Sequence, residues 1–367
     1  MSMKTRWIRP NSPPQNRFEG GMGCMNKKLA ANKKLSFLIL LLAALLSLSC
    51  QGEEGEGAIA VFVPGVLEGS PSYEAMDLGV REAAGKDFNV RTIEGGFDQA
   101  SWYDSVLSLA SEGNSGLIVT SNPAMSEICA SVARLFPNQA FLVLDGSGLG
   151  GERVVDVVYR HIEQAFVIGY FAGLVTISDE LEHSNPDLKV GMIVGQEYPQ
   201  MMREILPGYE AGLQTVNPDI ELEFRVIGNW YDAEQARELA EGLYDRGVDV
   251  VLTIAGGANQ GVISAAKSSR GYVLWFDAEG SSLAPGIVLA SSVLRQENLA
   301  RMLVQDWIDG ELTPGASMRV GFSEGYIDFP TENRHFRKFV PKSIQEEMRR
   351  QVEKLKRGEI DLSALHE

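Results

Sequence analysis

From Ala58 onward, short apolar runs alternate with stretches of helical period. The runs are Ile59–Val63, Leu117–Thr120, Phe141–Leu144, Val190–Val194, Val250–Ile254, Val273–Phe276 and Ile287–Ala290, and Arg153–Tyr159 reads as one more strand. Near-continuous apolarity marks strands that helices cover on both faces. The clearest helix starts at Asp232. Asp232 and Gln235 make a capping-box-like pair, and Ala236, Leu239, Ala240 and Leu243 share one face before Gly247 ends the helix. Strand–helix–strand repetition predicts parallel sheets with right-handed crossovers.

The plan occurs twice. Gly95-Gly-Phe-Asp98 opens a helix, one strand then ends at Thr120, and another ends at Asp145. Trp230-Tyr-Asp232 likewise opens a helix, and strands end at Thr253 and Asp277. From the capping Asp the steps are 22 and 25 residues in the first copy, and 21 and 24 in the second. The expected fold class is therefore α/β, with two doubly wound lobes facing each other across a cleft. Open α/β sheets bind ligands beyond the carboxyl ends of their strands, which places a ligand between the lobes. The first lobe is expected at 58–160 with a return segment at about 291–330. The second is expected at 165–290 with a tail at about 331–367. In that tail, Ile344, Met348, Val352 and Leu355 share one face of a helix after Pro341, predicted to cover a sheet edge.

The first 49 residues read as an address. Four lysines precede the apolar run Leu35–Leu48, which is short for a bilayer span and fits a secretory signal. A start at Met22 or Met25 suits such a signal better than Met1. Cys50 follows the run directly, and residues 51–57 form an acidic, glycine-rich tether. The pattern is that of a bacterial lipoprotein acylated on Cys50, although Ser47-Leu-Ser49 departs from a lipobox with Leu three residues before the Cys. Two or more acyl chains anchor a protein where one does not.

Charge strengthens this division. The 367 residues carry a net charge of −16, and without residues 1–49 the remainder holds 25 basic and 48 acidic residues, a net charge of −23. A basic nucleic-acid surface is disfavoured. With only Cys24, Cys50 and Cys129, a disulfide framework is excluded, and His161, His183, His335 and His366 are too scattered to suggest a metal site. No cofactor is expected.

Few motifs carry chemistry. Gly146-Ser-Gly-Leu-Gly-Gly151 has the spacing of a dinucleotide loop, but a strand follows it where a helix is needed, so it reads as a plain loop. Nothing assembles a nucleophile, a base and an orienting group, and enzyme activity is not expected. Ala255-Gly-Gly-Ala-Asn-Gln-Gly261 lies between a buried strand and a helix, where Gly256 and Gly257 let backbone amides approach a ligand. Asp145 and Asp277 end apolar strands and serve either as helix caps or as acceptors for ligand hydroxyls. Trp230 and Tyr73 occupy corresponding loops, where each either packs or stacks on a flat ring.

Val63-Pro-Gly-Val, Gly208-Tyr-Glu-Ala-Gly-Leu, Val216-Asn-Pro-Asp-Ile, Gly228-Asn-Trp-Tyr-Asp, the 255–261 loop and Lys354-Leu-Lys-Arg-Gly-Glu-Ile together resemble the basic membrane protein family. These PnrA-like lipoproteins are substrate-binding components of ABC transporters. The resemblance covers 58–362. It implies a type I periplasmic-binding fold holding a purine nucleoside between two aromatic rings, with a carboxylate and a basic residue on the ribose. Carried over, Trp230 and Tyr73 are the rings, Gly256 and Gly257 the glycine loop, and Asp277 and Arg295 the ribose grip. The family's Asp-Lys-Ser-Phe-Asn loop is here Ser-Pro-Ser-Tyr-Glu, so its base-reading residue is missing, and Asn122 or Asp145 is the substitute. Arg295 replaces a Lys, exchanging a point donor for a planar fork. The implied partners are a small-molecule ligand, ABC permease subunits and the membrane through the lipid anchor, with the protein monomeric. The alternative is a surface lipoprotein acting as sensor or adhesin without transport.

Overall fold

The computed structural model describes residues 57–366; the expected signal segment, Cys50 and most of the tether lie outside them. The first sheet comprises β1 (Ala58–Val63), β2 (Asn89–Glu94), β3 (Leu117–Ser121), β4 (Ala140–Leu144), β5 (Val154–Tyr159) and β11 (Ser317–Val320), ordered β2-β1-β3-β4-β5-β11. All its pairings are parallel. The second comprises β6 (Lys189–Val194), β7 (Glu221–Val226), β8 (Val248–Ile254), β9 (Tyr272–Asp277), β10 (Val288–Leu294) and β12 (Ile327–Asp328), ordered β7-β6-β8-β9-β10-β12. Only β12 runs antiparallel there. The two sheets thus share one strand order, which is the physical content of the sequence echo.

Helices cover both faces. In the first lobe these are α1 (Pro71–Ala84), α2 (Trp102–Glu112) and α3 (Pro123–Leu135). In the second they are α4 (His161–Thr176), α5 (Leu206–Val216), α6 (Ala233–Tyr244) and α7 (Asn259–Ser269). Asp232 caps α6 by accepting the Gln235 N–H at 3.0 Å. The chain crosses between lobes three times. It leaves β5 at Arg160 into α4, which packs on α5; it leaves β10 at Arg295 into α8 (Gln296–Ile308), which packs back on α1; and it joins β11 to β12 through residues 321–326. β10 therefore stays in the second sheet to Leu294, and β12 belongs to that sheet as well.

Two ion pairs tie the crossings together. Arg160, at the start of α4, binds Glu324 at 2.5 Å, and Arg295, at the start of α8, pairs with Asp328. Glu324 and Asp328 flank the end of the third crossing. One apolar core runs through both lobes beneath α1, α8, α4 and α5, and separate cores fill the outer face of each sheet.

The tail forms α9 (Arg334–Phe339) and α10 (Lys342–Lys356). Ile344, Met348, Val352 and Leu355 are buried, on the face the sequence marks. They pack against α4 rather than over a sheet edge. The reason is that α4 is apolar around nearly its whole circumference and needs a helix on its outer side as well. The Tyr170 hydroxyl of α4 donates to Glu347 at 2.8 Å and fixes the contact. Among the described residues, no helix is long and apolar enough to cross a membrane.

Candidate ligand-binding site

Strand ends build the site. Asn122 follows β3, Asp145 follows β4, and Asp277 ends β9; all three hold positive φ (145°, 51° and 67°). Non-glycine residues take this conformation at a cost, and they concentrate where function or tight packing demands it. Asn122 accepts the Ala124 N–H at 2.9 Å and so caps α3. Asp145 does not cap a helix. Its Oδ1 lies 2.6 Å from Nε2 of the buried His161, the first residue of α4.

From His161, which belongs to the second lobe, the chain of hydrogen bonds continues to Asp277. Nδ1 of His161 lies 2.8 Å from Oε1 of Gln164, one turn along α4. Nε2 of Gln164 donates to Asp277 Oδ1 at 3.0 Å and to the Ser292 carbonyl at 3.4 Å. The His161 ring stacks on Phe276, centroids 6.5 Å apart, and lies 6.0 Å from Tyr159. Burial pushes the Asp277 carboxyl up; His161 opposes this and Asp145 adds to it, leaving it at about 6. Burial lowers His161, but the Asp145 charge and hydrogen bond, with Asp277 and Gln164, raise it to about 9.

Aromatic rings from both lobes complete the cluster. Tyr73 comes from α1, and its hydroxyl donates weakly to the Pro64 carbonyl at 3.3 Å. Burial raises its phenol to about 12, and both Asp145 and Asp277 contribute. Tyr198, in the loop after β6, is also raised by burial and by the same two carboxylates. Both phenols therefore lie within electrostatic range of the two aspartates. Trp230, after β7, lies 6.2 Å from Tyr198, and its Nε1 donates to Gln196 Oε1 at 3.1 Å.

Trp230 is held from two sides by glycine. A Cβ at Gly195 would lie 2.6 Å from the indole, and one at Gly256, where φ is +56°, would lie 3.0 Å from the Trp230 carbonyl. Gly256 and Gly257 are exposed in a short turn before α7. That turn is pinned by Asn259, whose Oδ1 accepts from Thr253 Oγ1 at 2.6 Å and from Ala255 N at 2.8 Å. Arg295 sits at the second crossing with its guanidinium on Asp328, and no hydrogen bond joins it to Asp277 among the described residues.

The structure thus sets Asn122, Asp145 and Asp277 at strand ends, Tyr73 at the start of α1 and Trp230 in the loop after β7, with Gly256 and Gly257 against the Trp230 backbone. His161, Gln164 and Tyr198 are additions that the sequence alone did not mark. The Gly146–Gly151 loop has another use. It wraps the buried Asp156 carboxylate so tightly that a Cβ at Gly146 would lie 1.8 Å from its Oδ1. No grouping of His, Cys, Asp and Glu among the described residues could hold a metal ion.

Known proteins resemble this chain in sequence and in shape. Basic membrane protein D of Borreliella burgdorferi is 26% identical over 294 residues, covering 78% of this chain and 83% of its own. A solute-binding protein of an ABC transporter system from Aeropyrum pernix superposes with a TM-score of 0.71 at 19% identity, over 83% of this chain and 92% of that one. A transcriptional activator of the comK gene from Bacillus halodurans has the same fold, with a TM-score of 0.67 at 20% identity, over 83% and 100%. The family model for PnrA-like ABC transporter substrate-binding proteins matches residues 57–364, and the chain belongs to that family.

Proposed function

We propose that this ABC transporter substrate-binding protein takes a purine nucleoside between its lobes and presents it to the permease from a lipid anchor on Cys50. The observation that supports this most is the correspondence between the lobes: each supplies an aromatic ring (Tyr73, Trp230) and a carboxylate at an equivalent strand end (Asp145, Asp277). A nucleoside presents a flat base and a hydroxyl-bearing ribose, and needs both kinds of group.

In this reading the base stacks between Tyr73 and Trp230. Asp277 accepts ribose hydroxyls, a charge-assisted bond of about 1.5–3 kcal/mol. Asn122 and Asp145 address the base edge, and the amides of Gly256 and Gly257 close over the ligand at the start of α7. Arg295 reaches the ribose with the guanidinium nitrogens that Asp328 leaves free. The lobes hinge at their three crossings, and the ligand selects the closed arrangement. Lipid anchoring rests on the apolar run that abuts Cys50. The test is to denature protein purified from its native host and identify the released small molecule by mass spectrometry. A stoichiometric nucleoside supports the reading; a stoichiometric compound without a flat base overturns it.

A further inference from the structure

We propose that His161 and Gln164 are positioning residues of the ligand site, which join Asp145 of one lobe to Asp277 of the other through a doubly protonated imidazole. Hydrogen-bond accounting leads to this charge state. The Asp145 carboxylate only accepts, so Nε2 of His161 carries a proton. The Gln164 amide NH2 faces two acceptors, Asp277 Oδ1 and the Ser292 carbonyl. Its carbonyl oxygen must then face Nδ1, and a carbonyl also only accepts. Turning the amide over would set Oε1 against the Ser292 carbonyl with no proton between them. A neutral His161 therefore breaks one link of the bridge.

The arrangement decides what the aspartates can do. Each gives Oδ1 to the bridge, which leaves Oδ2 for the ligand. Two carboxylates against one imidazolium leave the cluster net negative, so it favours hydroxyl or amine donors and disfavours anions. The neighbouring charged groups are otherwise engaged. On α4 itself, Arg160 holds Glu324 and Glu163 accepts the Phe322 N–H. Asp156 lies behind Asp145 beneath the 146–151 loop. Tyr73, Tyr159 and Tyr198, which face the same carboxylates, all have phenols raised by burial and stay neutral near pH 7.

The charge of the bridge is tested without any ligand, on 15N-labelled protein, by long-range proton–nitrogen NMR of the histidine rings at pH 7. His161 is assigned as the ring missing from His161→Gln; should that variant not fold, Gln variants of His183, His335 and His366 assign it by elimination. Both ring nitrogens are expected at imidazolium positions, with a titration midpoint that drops by roughly one pH unit or more in Asp145→Asn. A neutral ring at pH 7, or an unchanged midpoint in Asp145→Asn, overturns the proposal. The positioning role has its own readout, which rests on the nucleoside reading. Inosine binding, followed by calorimetry, is expected to weaken roughly tenfold or more in folded Gln164→Leu, with wild-type affinity falling as pH rises from 7 to 10. Unchanged affinity in folded Gln164→Leu overturns it. If wild type binds none of inosine, guanosine and adenosine, the nucleoside reading fails, and the NMR result decides the bridge alone; where another of the three binds, it replaces inosine as the probe.

Discussion

Asp145 and Asp277 stand at equivalent strand ends in the two lobes, each in the left-handed backbone region, and a single hydrogen-bonded chain through His161 and Gln164 joins them. The left-handed region costs an ordinary residue roughly 1–2 kcal/mol. Here it turns each carboxylate out of its strand toward α4, where Asp145 meets His161 and Asp277 meets Gln164. Trimming Asp277 should therefore remove ligand contacts and one hydrogen bond of the bridge. Asp277→Ala is expected to weaken nucleoside binding by about ten- to a hundredfold while barely changing that of the free base. Calorimetry with inosine and hypoxanthine separates the two; equal losses for both would remove Asp277 from the ribose.

Stacking on Trp230 is worth about 1–3 kcal/mol by analogy with base-binding platforms. Trp230→Ala should then weaken binding roughly ten- to a hundredfold. Gly195→Val approaches the same ring from behind, where a Cβ would lie 2.6 Å from the indole. It is expected to lower affinity as well by displacing the ring, with little change in the melting temperature. Full affinity in Gly195→Val would show that the indole position does not matter.

Binding should be strongest in a window of pH. Asp277, held at about 6 by burial, must be charged to accept a hydroxyl proton, so affinity falls as pH drops through 6. His161, held at about 9, must keep its proton to complete the bridge, so affinity also falls as pH rises through 9. Stability follows the same logic. A histidine raised above its ordinary 6.5 contributes stability that is full below that value and lost as pH rises through about 9. Thermal melts from pH 6 to 10 should show wild type losing more stability than His161→Gln; parallel curves would contradict this.

How much of this was readable from the chain depends on locality. The core strands are apolar runs, and the two aspartates sit at their ends, so both are visible in the sequence. The edge strands β2 (NVRTIE) and β7 (ELEFRV) are half-exposed and mix charged with apolar residues, so no run marks them. Helix α4 is buried on nearly every side, so it has no polar face to give it a helical period. His161 is unremarkable until the topology carries α4 across to the second lobe. Only then does Gln164 meet Asp277, 113 residues further along the chain. Tyr198 is hidden for the same reason, because its partners come from both lobes.

The tail helix gives a prediction about the fold alone. Met348 is fully buried between α10 and the main core. Met348→Ala is expected to cost about 2–5 kcal/mol, read from urea unfolding, because the site is enclosed and collapses only in part. A cost below about 1 kcal/mol would mean that α10 is a loosely attached cover.

Anchoring is tested separately, by growing cells on labelled palmitate. Label should enter wild type and be absent from Cys50→Ala; equal labelling of both would exclude Cys50 as the acylated residue.

A purine nucleoside held between the two lobes is detected by calorimetric titration of protein unfolded, dialysed free of carried-over ligand and refolded, with guanosine, inosine and adenosine at pH 7.5. Saturable binding of at least one, at one site per chain and lost in Trp230→Ala, is the predicted result. No heat with any of the three from correctly refolded protein would contradict it and leave a transport-type receptor for another class of ligand.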